Sequence, residues 1–104
     1  MNLEQEEILG MPAGAKMNQL IWWKIFDMTP TPPNNDLSFL PDYSSDMNCA
    51  KAVADKMSAF VLVRTSYKGI EYCCNHIAFA ETAPLAICRA ALLENYNLAN
   101  YGGV

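Results

Sequence analysis

The sequence predicts a single α+β domain in which three helices pack with a small antiparallel β-sheet. Three observations support this fold class. The chain has 104 residues, the length of one ordinary domain. Apolar residues recur at helical spacing in three separate segments. Between the second and third segments lie two runs rich in β-branched and aromatic residues, as in strands. We therefore expect one domain over residues 1–104.

Composition limits what this domain can bind. Hydrophobic residues make up 52% of the chain and charged residues 17%, which excludes a generally disordered protein. A surface with so few charges favours self-association, so we expect a homo-oligomer. Eleven acidic and seven basic residues give a net charge of −4, which would repel a phosphate backbone. DNA is therefore not an expected partner.

The first helix is predicted over residues 12–25. A short acidic segment over 3–9 begins as a helix, but Gly10 and Pro12 interrupt it, because proline inside a helix removes a donor. Pro12 instead favours the start of a new helix. Met17, Leu20 and Ile21 then follow at helical spacing.

A loop and a second helix follow. Residues 29–42 are rich in proline, asparagine and serine and have neither periodicity, so we predict a long loop there. It is either functional or pinned to the core by its own apolar residues. Ser44, Ser45 and Asp46 offer oxygens that can cap a helix. Apolar residues from Met47 to Met57 then line one face of a helix over 45–58.

The sheet and the last helix complete the domain. Residues 60–65 and 70–79 are predicted to form an antiparallel hairpin around a turn at 66–69. Thr82 can cap the last helix, and Pro84 lies in its first turn, where a missing N–H costs little. Leu85, Cys88 and Leu92 form part of an apolar stripe, so the last helix is predicted over 83–97. The final residues, 101–104, read as a frayed tail.

The chain offers little that resembles a catalytic or metal site. Cys73, Cys74, His76 and Cys88 are residue types that zinc prefers. Neighbouring residues of a strand point to opposite faces, however, and no C-x-x-C pair is present. Cys74 and His76, two apart on one strand face, would be about 7 Å from each other, too far for direct activation of a thiol. We expect no enzyme, no metal and no cofactor.

The N-terminal residues, the cysteines and the short apolar runs together predict where in the cell the protein acts. The N-terminal residues are acidic and do not resemble a secretory signal peptide, so we expect reduced cysteines in a cytoplasm. The longest apolar runs are far shorter than the roughly 20 residues that cross a bilayer, and no membrane association is expected.

Three sequence blocks resemble a known family. The run from Glu81 to Leu93, the block Ala13–Ile21 and the segment Tyr43–Asp46 are similar to the last helix, the first helix and the start of the second helix of the phage ABA sandwich domain family. Pro12 and the loop over 29–42 depart from the family pattern. The resemblance implies an α+β sandwich, a bacteriophage origin and action in the cytoplasm of an infected bacterium. It implies no catalytic residue.

Aromatic and basic residues are the candidates for binding. A small domain cannot bury all its large rings, and those left outside can anchor an interface or stack on a base, while cations meet a phosphate. Arg64, Lys68 and Arg89 are the candidate cations, each of which is otherwise a solvated surface charge. The candidate ligand-binding residues are Arg64, Tyr67, Lys68, Tyr72, His76 and Arg89, and the candidate interface residues are Trp22, Trp23 and Phe26.

Two functions are open from the sequence. The first is a non-catalytic phage anti-defence protein that sequesters a small anionic, nucleotide-derived immune signal of the host in a pocket formed between subunits. The second is a phage protein that inhibits or redirects a host protein through Trp22, Trp23 and the proline-rich loop; the acidic balance suits a basic partner. A role in the virion and an unrecognised enzyme are further alternatives. The first predicts a pocket with inward cations, and the second an exposed apolar patch.

Overall fold

The computed structural model describes residues 5–27, 40–67 and 70–101, and of residues 66–67 and 97–101 it describes the backbone. Within these ranges the chain forms α1 (Gln5–Gly10), α2 (Ala15–Leu20), a π-helix (Ile21–Ile25), α3 (Met47–Ala54), β1 (Leu62–Tyr67), β2 (Ile70–Cys74), β3 (Ala78–Ala80) and α4 (Ala83–Tyr101). The predicted α+β class is confirmed. Most of the predicted loop over 29–42 lies outside the described residues, as do residues 102–104 of the tail.

The first helix differs from the prediction at its start and in the hydrogen bonding of its second half, whereas its end at Ile25 agrees. It starts at Ala15 rather than at Pro12, because Gly14 adopts φ +146°, a conformation that interrupts a helix and that other residues rarely adopt. After Leu20 the helix widens, and Phe26 N–H donates to Ile21 O five residues earlier at 3.2 Å. The π-helix ends at Ile25, and Asp27 two residues later has a φ of +56°. π-Helical turns often occur at functional sites.

The second helix is shorter than predicted. Asp46 is its N-cap, and one of its carboxylate oxygens accepts from Asn48 N–H at 2.8 Å. The helix ends at Ala54 instead of residue 58. Ser44 plays a different part from the predicted cap, because it is buried and bonded to α2.

In place of the predicted hairpin there is a three-stranded antiparallel sheet in the order β1-β2-β3. Its first strand is Leu62–Tyr67 instead of 60–65, so it extends into the predicted turn. The second predicted run, 70–79, is divided because Asn75 and His76 adopt positive φ values of 55° and 61° and turn the chain. His76 is therefore an exposed turn residue and does not share a strand face with Cys74, which was wrongly predicted.

The long helix α4 is the centre of the core. It packs on β2, β3, α3, the π-helix and α1. Its residues from Leu85 to Leu93 are buried except for the half-buried Arg89, so the predicted single stripe is too narrow a description. A helix that is apolar on most sides is enclosed by its neighbours.

One face of the sheet packs on α4 and the other does not. Cys74, Ala78 and Ala80 point to the helix side and are buried. Val63, Cys73 and Phe79 form a row on the opposite side, which we call the outer sheet face together with Val61. Val61, Val63 and Phe79 are 42–47% exposed, whereas Cys73 between Val63 and Phe79 is buried. Among the described residues, the outer sheet face is therefore open at its three large apolar side chains. Among the described residues, no helix is long and apolar enough to cross a membrane.

Candidate functional site

Arg89 is the best-positioned cation of the predicted set. Its Nε and Nη2 donate to Met11 O at 3.1 and 2.8 Å, and its Nη1 donates to Phe79 O at 2.6 Å. These bonds hold the guanidinium between the α1–α2 connection and β3. Burial lowers the pKa of Arg89 from its ordinary value, and the nearby Glu81 carboxylate opposes this shift. An arginine keeps its charge under such a shift, so the site contains a fixed, partly desolvated cation.

A cleft of about 250 Å³ opens beside this guanidinium, and we call it the arginine cleft. Most of its lining residues are apolar, but polar atoms make up about half of its surface, and Glu81 is the second charged group. The lining residues are Leu9, Ile70, Phe79, Ala80, Glu81, Leu85 and Arg89. Ile70 and Phe79 are also among the exposed large hydrophobic residues. A cation beside apolar walls suits a ligand with an anionic group and a flat apolar part.

The other predicted ligand residues lie outside the arginine cleft. Arg64 and Tyr72 are opposite each other on β1 and β2; Arg64 is exposed and Tyr72 is half-buried against the core. His76 is exposed in the turn before β3. Tyr67 faces Ile70 in the strand register.

The structure does not describe the side chain of Tyr67, and Lys68 lies outside the described residues. Of the six predicted ligand-binding residues, Arg64 and Tyr72 are therefore neighbours on the sheet, whereas Arg89 lies apart from them in the arginine cleft.

The predicted interface residues are half-buried. Trp22 and Phe26 pack against the core, and Phe26 stacks on Tyr43 with ring centroids 5.2 Å apart. Trp23 carries the Lys24 ammonium over its ring at 4.4 Å. The exposed apolar surface of the described chain lies instead on and around the sheet. It comprises Phe60, Val61, Val63, Ile70, Ile77 and Phe79. Because side chains alternate between the two faces of a strand, the sequence signal for this surface is the presence of large apolar residues at both sets of alternating positions.

The buried thiols are held in their neutral form. Cys88 Sγ lies 3.2 Å from Tyr43 O, to which it donates. Burial, together with the negative charges of Asp42 and Cys74, raises the pKa of Cys88 to about 12. Burial is also the main reason that the pKa of Cys74 rises to about 11. Nucleophilic cysteines have lowered pKa values, so both thiols have the properties of packing groups. The described residues contain no group of three or more potential metal ligands of the His, Cys, Asp or Glu types.

The three sequence blocks that carry the family resemblance meet in the structure. Asn18 Oδ1 accepts from Ser44 N–H at 3.0 Å and from Ser44 Oγ–H at 2.8 Å. Ser44 Oγ in turn accepts from Gly14 N–H at 3.0 Å. Tyr43 O, next to Ser44, accepts from the Cys88 thiol of α4. These bonds join α2, the segment before α3, and α4. The three sequence blocks therefore contribute to one structural network.

Comparison with known proteins places the chain among phage proteins. The family model described as the phage ABA sandwich domain matches residues 13–92. A crystal structure of a phage protein from Bacillus cereus ATCC 14579 is similar, with a TM-score of 0.60 and 28% identity. The match covers 75% of this chain and 87% of that one. No curated protein matches the chain.

Proposed function

The chain belongs to the phage ABA sandwich domain family, and from this premise we propose that it is a non-catalytic anti-defence protein. It binds and sequesters a small anionic, nucleotide-derived immune signal in the cytoplasm of the infected bacterium. The arginine cleft carries the proposal, because a fixed cation stands there beside apolar walls.

The fixed guanidinium supports binding of an anion. A guanidinium has five N–H groups in a planar fork. Three of them bond to Met11 O and Phe79 O, and the other two have no acceptor among the described residues. A donor that is already oriented loses less conformational entropy on binding than a mobile surface side chain. The negative charge of Glu81 in the same cleft opposes anion binding. Replacing Glu81 by an uncharged residue should therefore raise the affinity for an anion.

The dimensions support a site completed by a second copy. Pockets for drug-sized ligands measure about 300–1,000 Å³, and the arginine cleft is smaller, at about 250 Å³. Phe79 lies both in the cleft and on the outer sheet face. A second copy packed on that face would enclose the ligand and cover the exposed apolar side chains, which agrees with the low charge of the chain.

The experiment compares melting temperatures with a panel of cyclic and linear nucleotides. A ligand that binds only the folded state stabilises it by RT ln(1 + [L]/Kd), which is about 4 kcal/mol at 1,000 times Kd. Glu81→Gln should raise the affinity several-fold, because it removes a negative charge from the cleft. Arg64→Gln, a change at an exposed position of β1 that does not line the cleft, should alter it less than twofold. If the two variants changed the nucleotide affinity by equal factors, the binding site would not be the cleft beside Arg89.

Arg89 itself needs a conservative substitution. Its bonds to Met11 O and Phe79 O connect distant parts of the chain, so Arg89→Ala would also lower stability, contrary to the near-intact folding expected for a surface cation. Arg89→Lys keeps the charge but loses the planar fork. We expect it to weaken nucleotide binding at least tenfold while the free protein still shows cooperative unfolding.

A second candidate function is binding of a host protein through the outer sheet face. The observation that favours it is the exposure of Val61, Val63 and Phe79 on the same side of the sheet. Such a partner would replace the proposed contact through Trp22 and Trp23, which are half-buried. Phe79→Asp would then abolish recovery of one host protein from lysate, whereas Lys51→Gln, an exposed change on α3, would not. Loss of nucleotide binding without loss of a partner would favour the first function.

A further inference from the structure

A second cleft, separate from the arginine cleft, lies between the π-helix, the end of α3 and α4. It measures about 100 Å³ and is lined by Lys24, Ile25, Lys56, Met57, Ala91, Glu94 and Asn95. We call it the lysine cleft. No resemblance or predicted site involves Lys24, Lys56 or Asn95.

Both lysines of this cleft are placed against aromatic rings. The Lys24 ammonium lies 4.4 Å from the centroid of the Trp23 ring, and the Lys56 ammonium lies 5.8 Å from that of Phe26. Among the described residues, neither forms a salt bridge with a carboxylate. Contact with a ring face orients an ammonium without neutralising its charge. The cleft therefore keeps two positive charges available for an anion.

The polar neighbours of the lysines are also held in place. Asn95 Nδ2 donates to Lys24 O at 3.3 Å, which connects α4 to the π-helix. Glu94 Oε1 accepts from Ser58 N–H at 3.0 Å. This bond ties the carboxylate to the chain after α3.

The π-helix is the feature that gives this arrangement. Trp23 and Lys24 lie in this π-helix and Phe26 is its C-cap, and Asp27, which follows, has φ +56°. A backbone conformation of this kind in a non-glycine residue is strained and is often retained at functional sites.

We propose that the lysine cleft binds one phosphate group of a small molecule. The two ammonium groups supply charge-assisted hydrogen bonds. The volume of about 100 Å³ suits a single phosphate and is well below the roughly 300 Å³ at which pockets for whole drug-sized ligands begin. The proposal does not depend on any ligand in the arginine cleft.

The test is an NMR titration with inorganic phosphate at constant ionic strength, with chloride as the comparison ion. Phosphate should shift the signals of the Asn95 side-chain amide and of the Lys24 backbone in a saturable way, and chloride should not. Glu94→Gln keeps the oxygen that accepts from Ser58 N–H and removes the negative charge. We expect it to tighten phosphate binding at least threefold, a gain that misfolding cannot produce.

Matched variants separate local binding from general charge effects. Lys56→Gln should weaken phosphate binding at least fivefold. Lys51→Gln makes the same charge change at an exposed position of α3 that does not line the cleft, and it should alter binding less than twofold. Glu71→Gln is the corresponding control for Glu94. Unmoved Asn95 signals, or control variants as effective as the cleft variants, would overturn the proposal.

Discussion

Replacing Ser44 by alanine tests the polar network that joins the family's sequence blocks. Ser44 is fully buried. Its Oγ accepts from Gly14 N–H at 3.0 Å and donates to Asn18 Oδ1 at 2.8 Å. Alanine removes both bonds and leaves Gly14 N–H without this acceptor. Asn18 Oδ1 still accepts from Ser44 N–H at 3.0 Å, so the loss of its second hydrogen bond costs less stability.

The expected magnitude follows from these bonds. An unsatisfied buried donor costs about 1–3 kcal/mol, and a lost hydrogen bond about 1 kcal/mol. Ser44→Ala should therefore lower the free energy of unfolding by about 2 kcal/mol. In a domain of 104 residues this corresponds to a decrease in melting temperature of about 10 °C.

Urea denaturation followed by circular dichroism measures the difference directly. The midpoint should move to lower urea while the m-value stays unchanged. Ser45→Ala is the matched control, because Ser45 is the exposed neighbour with the same side chain, and it should change stability by less than about 0.5 kcal/mol. If Ser44→Ala and Ser45→Ala were equally stable, the network would not stabilise the fold and the reasoning would be refuted.

Three further predictions follow from packing, backbone and protonation. Trp22→Ala should cost about 3 kcal/mol because Trp22 packs on the core; a near-neutral result in urea denaturation would make it an interface residue instead. Gly14→Ala should cost about 1–2 kcal/mol from its φ of +146° alone, since a Cβ there meets nothing within 4 Å. Gly10→Ala, equally open but without positive φ, should be neutral or stabilising, and equal costs would contradict the strain argument. The raised pKa values of Cys74 (about 11) and Cys88 (about 12), against an ordinary 9.0, mean that the native state binds more protons than the unfolded chain above pH 9. The contribution of these thiols to stability should therefore be constant below pH 9 and fall between pH 9 and 12, so stability should decrease over this range, less steeply in Cys88→Ala; a stability independent of pH above 9 would contradict this.

The last helix was predictable because its signals are local. Thr82 and Pro84 mark its start, and the apolar residues that follow identify it as buried. The antiparallel arrangement of the sheet and the pairing of its first two strands were also predictable. Its division at Asn75 and His76 was missed, because residues with positive φ were not expected inside an apolar run.

The arginine cleft was only half predictable, because its geometry is non-local. Arg89 was recognised as a candidate cation, but its acceptors are the carbonyls of Met11 and Phe79, 78 and 10 residues away. The cleft walls Ile70 and Phe79 were read as ordinary strand residues. The π-helix was missed because a change from α to π hydrogen bonding alters the register within a single turn, which apolar periodicity does not reveal.

The central claim is capture of an anionic nucleotide-derived ligand without chemical change, and native mass spectrometry tests it most directly. The protein is mixed with equal concentrations of cyclic and linear nucleotides, and the masses of the folded protein and of the ligand released by heat are recorded. The account predicts a mass increase by one nucleotide per site, on an oligomer, and release of that nucleotide unaltered. A spectrum with no bound nucleotide would contradict capture, and a released ligand of altered mass would contradict a non-catalytic role.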